Sequence, residues 1–240
     1  MSSDNALRFV DFKEETLIVP DGTATLFVER APRLRQVSLP DSLTLAWLAG
    51  CPQLAEPALP PALTDLHLIG CPALPAVQLP DTLQVLSLVD CPALPSADLP
   101  SPLFRLALGG FSDSTLPTLP PNLTDLIISN WPNLQAVTPL SRLETLHLHG
   151  CPQLLQVTAP PTVTELWADK CPQLASVTLP ESLQYMRAVD CPSLGCVRLP
   201  STGLSARLDP HIAVEIYNPR LAVEVRVSLD GVPVSSTQIA

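Results

Sequence analysis

Aromatic side chains are scarce in this chain: five Phe, three Trp and two Tyr, 4% of 240 residues. A core with so few rings must be aliphatic, so the 46% hydrophobic content reads as layered Leu and Val. Any aromatic assigned to a surface then becomes informative. Cations are scarce too, with 13 Lys and Arg against 23 Asp and Glu, a net charge of −10 and a pI of about 4.7. That balance argues against nucleic acid and against an anionic membrane surface as partners, because both reward clustered Lys and Arg. No apolar run approaches the roughly 20 residues of a membrane span. Residues 1–15, MSSDNALRFVDFKEE, lack the apolar run of a secretory signal, so no general export signal is expected. Neither a G-x-S-x-G elbow nor a glycine-rich loop before a helix occurs, and no carboxylate pair stands out, so the chain is not expected to be an enzyme.

What the chain does have is a period. From Pro20 to Leu199 it divides into nine units of 20 residues without an insertion or deletion. Residues 60–79, PPALTDLHLIGCPALPAVQL, show the pattern P-x-x-L-x-x-L-x-L-x-x-C-P-x-L-x-x-V-x-L. Such regularity predicts a solenoid in which each coil packs on its neighbours. The 29 prolines fall in register with the period and act as punctuation, not as a sign of disorder.

Within a unit, Leu66 and Leu68 alternate with the period of two of a strand, so each coil is expected to add one strand to a parallel sheet with its leucines inward. The Cys-Pro pair then bends the chain, and Leu74 and Val77 turn inward again. About eight residues remain for the return. Prolines at both ends and often within it, as in CPALPAVQLP, remove donors and fix φ, which excludes a full helix and predicts an extended or 3₁₀-like convex side. The fold class is therefore mostly β, with one parallel concave sheet and little helix.

The run L-x-x-L-x-L-x-x-C-x-L resembles the leucine-rich repeat signature, with Cys where many repeats carry Asn. The 20-residue length and the openings LPDSL, LPPAL, LPDTL, LPPNL and LPESL are similar to the bacterial LPxxL subclass of type III secreted effectors. This resemblance implies a leucine-rich repeat solenoid of the right-handed α/β-horseshoe family that binds proteins. It also leaves open a role as the recognition part of an effector ubiquitin ligase, whose catalytic domain would lie outside these 240 residues.

Two consecutive coils break the pattern. Residues 100–119 carry Phe111 and Ser112 in place of Cys-Pro, and the next unit has Trp131 at the Cys position. Either the core is locally repacked or the coils mark a change of curvature or a binding notch. The domain reading assigns residues 1–19 to an N-terminal cap, 20–199 to the nine repeats and 200–240 to a C-terminal β cap. In that last segment HIAVEIYN and LAVEVRVSLDG read as two alternating strands, with Asn218 and Pro219 offering the turn between them.

Six of seven cysteines, Cys51, Cys71, Cys91, Cys151, Cys171 and Cys191, share one repeat position and should stack as two ladders of three. Rungs about 4.8 Å apart keep parallel in-register Cβ atoms further apart than a disulfide prefers. Reduced structural thiols in a reducing compartment are expected: the bacterial cytoplasm, or the host cytoplasm if the chain is secreted. Without matching His residues, zinc is not expected, and no cofactor is.

Residues flanking the inward leucines must face out. One lane runs Phe27, Trp47, His67, Ser87, Ala107, Ile127, His147, Trp167 and Arg187, and its neighbours include Asp65, Glu165 and Tyr185 on one side and His149 and Asp169 on the other. Two clusters follow: His147, His149, Glu165, Trp167, Asp169, Tyr185 and Arg187 across three coils, and a smaller one of Phe27, Trp47, His67 and Asp65. Large aromatics with Arg are the residue types that dominate interface hot spots. The larger cluster is therefore the candidate surface for a protein partner, while the smaller one could instead pack on the N-terminal cap. His147 and His149 with Glu165 or Asp169 read as a hydrated surface group and not as a metal site. A monomer is expected, with a self-associating scaffold as the alternative.

Overall fold

The computed structural model describes residues 5–55, 57–75, 77–91, 99–137, 142–199, 205–209, 212–216, 226–229 and 232–234. Among these there is no helix of any kind, and the fold is the leucine-rich parallel β-solenoid that the repeat predicts. The chain divides into two units, Met1–Phe111 and Ser112–Ala240.

In the first unit a parallel sheet contains β1 (Ala6–Val10), β3 (Thr25–Glu29), β5 (Leu45–Ala49), β6 (Asp65–Ile69), β7 (Val85–Val89) and β8 (Arg105–Gly109), in that spatial order. Register advances by 20 residues per strand from β3 onward, as in Trp47 beside His67 and His67 beside Ser87, and by 19 from β1 to β3. Leu66 and Leu68 are fully buried, and so are their counterparts Leu26, Val28, Ala46, Leu48 and Leu86. Period-two alternation thus delivers an aliphatic layer per coil, as expected.

Two turns close each coil, and both are written in the prolines. In the P-x-x-L opening the Leu N–H donates back to the Pro carbonyl, as from Leu43 to Pro40 (3.1 Å) and from Leu63 to Pro60 (3.2 Å). In C-P-x-L the same bond closes from Leu54 to Cys51 (3.1 Å) and from Leu74 to Cys71 (3.2 Å). The second puts Pro one residue after the acceptor, where its fixed φ suits a turn and its missing N–H is not needed.

Between strand and second turn the backbone passes through the left-handed region at Arg30, Gly50, Gly70, Asp90 and Gly110 in the first unit. Asn130, Gly150, Lys170 and Asp190 do so in the second. Gly enters that region freely and Asn or Asp tolerably, whereas Arg30 and Lys170 carry a cost of about 1–2 kcal/mol each.

The second unit repeats the plan. Its parallel sheet runs β9 (Asp125–Ser129), β11 (Thr145–His149), β13 (Glu165–Asp169), β15 (Tyr185–Ala188), β17 (Ser205–Leu208) and β19 (Arg226–Leu229), with β20 (Val232–Val234) antiparallel on β19. The described strands within the segments 211–218 and 221–231 do not pair with each other. The first contributes β18 (Ala213–Ile216), which pairs in parallel with β16 (Cys196–Leu199), and the second contributes β19, which pairs with β17. Their alternation serves two different sheets, while Asn218 and Pro219 lie outside the described residues.

The return segments also add short parallel sheets to the single one expected. β2 (Thr16–Ile18) pairs with β4 (Gln36–Ser38), and β10 (Ala136–Val137), β12 (Gln156–Thr158) and β14 (Ser176–Thr178) pair in turn. Proline placement accounts for which returns pair. RQVSL, LQVTA and ASVTL keep their donors, while Pro57 and Pro75 interrupt the returns after Cys51 and Cys71, and residues 57–60 and 77–80 form no strand.

The irregular coils are repacked. Phe111 and Trp131 are buried at the Cys position, and the Trp131 indole donates to the Asp113 carbonyl at 2.6 Å. A hollow of about 430 Å³ lined by Ser114–Leu119, Gln135 and Ala136 accompanies the displaced segment.

Candidate protein-binding face

The parallel register converts sequence lanes into physical ones. On the outer face of the second unit's sheet, Ile127, His147, Trp167, Arg187 and Arg207 stand side by side on five successive strands. The adjacent lane brings Thr145, Glu165, Tyr185 and Ser205 together.

Trp167 is the centre of this face. The His147 ring stacks on its indole with centroids 4.2 Å apart and planes 16° from parallel. Tyr185 lies at 6.2 Å with a 58° tilt, and the Arg187 guanidinium carbon stands 5.4 Å from the indole centroid. Ring pairs of this kind contribute about 0.5–1.5 kcal/mol beyond area burial, and an exposed cation–π contact about 0.5–1.

Two carboxylates fix the surrounding side chains. Glu165 Oε1 lies 3.0 Å from His147 Nε2. Asp169 is buried, at 6% exposure, and Oδ1 accepts the Val189 backbone N–H at 3.1 Å. Its Oδ2 forms an ion pair with Arg187 Nε, but the N–H is not aimed along that contact, so the attraction is charge without a directed hydrogen bond. A buried carboxylate needs both kinds of partner to offset its desolvation.

Trp167 Nε1 is buried and has no hydrogen-bond partner among the described residues. An orphaned donor costs about 1–3 kcal/mol relative to a satisfied one. The centre of the cluster is therefore well packed and poorly satisfied.

His149 does not join the cluster. It is exposed at the end of β11, in register with Asp169 but outside the stack. Six of the seven expected residues are brought together. Among the described residues no group of three or more His, Cys, Asp and Glu is arranged to hold a metal ion.

The smaller cluster forms in the first unit, where Trp47 and His67 meet at 4.6 Å with a 34° tilt. Asp65 accepts the Thr64 hydroxyl at 2.7 Å. Burial pushes the His67 imidazole below its ordinary pKa, and Arg105 acts in the same direction against Asp65. The N-terminal strand does not cover this cluster. β1 extends the same sheet, with Arg8 in register with Phe27 and paired with Glu29 at 3.1 Å, so both rings stay on an open face.

The cysteine ladders lie inside. Cys51, Cys71, Cys91, Cys151, Cys171 and Cys191 are buried and Cys196 is exposed, and no disulfide links any of the seven. Thiols reach the carbonyl of the preceding coil, as from Cys71 to Leu48 (3.7 Å) and from Cys91 to Leu68 (3.4 Å). The hydrogen bond from Cys71 to Cys51 raises the Cys71 thiol to about 11, and the equivalent bond to Cys151 raises Cys171 to about 12. Cys71 and Cys171 are thereby held as thiols, while the same bonds lower the pKa of their acceptors Cys51 and Cys151.

Arg207 is the residue that the repeat boundary at 199 hides. SARL nevertheless alternates like a coil strand, with Ala206 and Leu208 buried 20 residues after Met186 and Ala188.

Neither the protein-family models nor the curated proteins contain a match to this chain. Among solved structures it is similar to a leucine-rich repeat protein from Bacteroides ovatus ATCC 8483, with 18% identity, a TM-score of 0.42, and 84% of this chain and 57% of that one covered. It is also similar to a leucine rich cell surface protein from Faecalibacterium prausnitzii A2-165, with 12% identity, a TM-score of 0.41, and 92% and 93% covered. A third, CroV588, described as a novel circular LRR protein, shares 16% identity with a TM-score of 0.44 over 88% of this chain and 42% of its own. The chain thus spans little more than half of the first and less than half of the third. These distant likenesses carry no residue correspondences.

Proposed function

We propose that the chain is a protein-binding module whose outer sheet face around Trp167 docks a protein partner, without catalysis of its own. One observation carries this reading. In a chain with ten Phe, Trp and Tyr residues, Trp167 and Tyr185 converge with the His147 ring and Arg187 on one outward patch. Rigid aromatics bury area at low entropic cost. The Trp47–His67 pair with Asp65 is a second contact region in the other unit.

The module is a monomer on this reading. Its LPxxL openings favour a bacterial effector acting in a reducing cytoplasm, either as a complete binder or as the recognition part of a ligase. A ubiquitin discharge assay on these 240 residues should be negative. The binding reading is tested by affinity capture with mass spectrometry, comparing the wild type with Trp167→Ala/Arg187→Ala. A discrete partner that is captured by the wild type and absent with the variant supports the face. Equal capture by both places the interaction elsewhere.

A further inference from the structure

The three last parallel strands of the second unit differ in charge from the rest of the chain. β15, β17 and β19 read YMRA, SARL and RVSL, with three arginines and no acid, in a chain of net charge −10. Register sets Arg187 directly beside Arg207 in one lane, and position 226 beside Ser205 in the next. Like charges on neighbouring strands oppose each other and weaken the sheet. Asp169 neutralises only the inner one. Arg207 is exposed and forms no ion pair with any described residue. Arg187 is tied to Asp169 and to the Trp167 ring, whereas Arg207 makes no such contact with any described residue and is suited to an anion.

We infer that this end of the sheet receives an acidic protein segment, with a partner carboxylate between Arg187 and Arg207 and a neighbouring aromatic or other planar side chain against Trp167 and Tyr185. This rests on the protein-binding reading above and names the chemistry of the partner. The guanidinium of Arg207 offers its planar fork to a carboxylate. Asp169 lies against Arg187 Nε, which leaves the outer nitrogens of the guanidinium for the ligand. The observations favour a short acidic segment over a nucleic acid, because a phosphate backbone would extend across a chain with ten excess negative charges.

The test is selection of a displayed random peptide library on the full 240-residue chain. Arg207→Glu and Trp167→Ala variants serve as parallel targets, with a labelled single-stranded oligonucleotide as a separate probe. Arg207→Glu changes an exposed side chain and should leave folding intact, as circular dichroism would verify. Peptides combining Asp or Glu with an aromatic should be enriched on the wild type. Their affinity should fall at least about tenfold on Arg207→Glu and weaken with added salt. Enrichment that depends on Trp167 but favours neutral or basic peptides would overturn the acidic-segment inference and leave the binding face standing. No enrichment at all would count against both, and tight oligonucleotide binding would replace the protein segment with a nucleic acid.

Discussion

The imidazole of His147 lies flat on the indole of Trp167, 4.2 Å between centroids, because a 20-residue period places position 147 beside position 167 with no offset. Neither ring is needed for the aliphatic core beneath, where Leu146, Leu148, Leu166 and Ala168 are already buried. Replacing Trp167 by Ala should therefore leave the coils intact, with loss of about 1–3 kcal/mol from the stack and cation–π contact. Thermal unfolding of the variant should stay cooperative with a modestly lower midpoint.

His67 gives the other unit a pH dependence. Burial lowers its folded-state pKa below the ordinary 6.5, so between those two values the unfolded chain binds more protons than the folded one. Stability contributed by the neutral ring is full above 6.5 and is lost as pH falls through that window. Denaturant midpoints measured from pH 7 downward should decline more steeply for the wild type than for His67→Gln.

Thiol chemistry distinguishes the ladders from the lone surface cysteine. In native protein Ellman's reagent should titrate Cys196 alone, while denaturant should release all seven thiols. Cys196→Ser should abolish the native reaction.

The left-handed positions predict a gain. Lys170 holds φ of 54° where the equivalent residues at 50, 70, 110 and 150 are glycine. Lys170→Gly relieves that strain and should stabilise the fold by about 0.5–1 kcal/mol, net of the entropy that glycine adds to the unfolded chain. A calorimetric midpoint a few degrees higher would show it.

Trp131 is the opposite case. It fills the Cys position completely, and its indole bonds to Asp113. Trp131→Ala should cost about 3–5 kcal/mol through the cavity left behind, far more than any outward change.

Much of this was legible in the sequence because the period is exact. Leu66, Leu68, Cys71 and Leu74 declare the core by repetition, and the same count fixes which of Asp65, His67 and Ile69 share a lane with His147, Trp167 and Asp169. Which returns pair into short sheets was also implicit in the placement of Pro57 and Pro75, but a single averaged repeat blurs it. Beyond Leu199 the signal failed because the spacing there is carried by strand register, not by the Cys-Pro and P-x-x-L turns. Arg207 is hidden for that reason, and alternation in the last two segments does not reveal that β18 pairs with β16 and β19 with β17. The exposure of His149 was invisible, since alternation puts it on the same face, beside Asp169, without saying how far its side chain is covered.

The most direct test of the binding face is site-specific photocrosslinking, with p-benzoylphenylalanine at Tyr185 on the face and, in a separate variant, at Leu155, which is 50% exposed on the return segment. In lysate of the organism encoding the chain, or of its host, the Tyr185 probe should yield one discrete adduct that disappears when Arg207→Glu is added, and the Leu155 probe none. Adducts from Leu155 with none from Tyr185 would contradict the account.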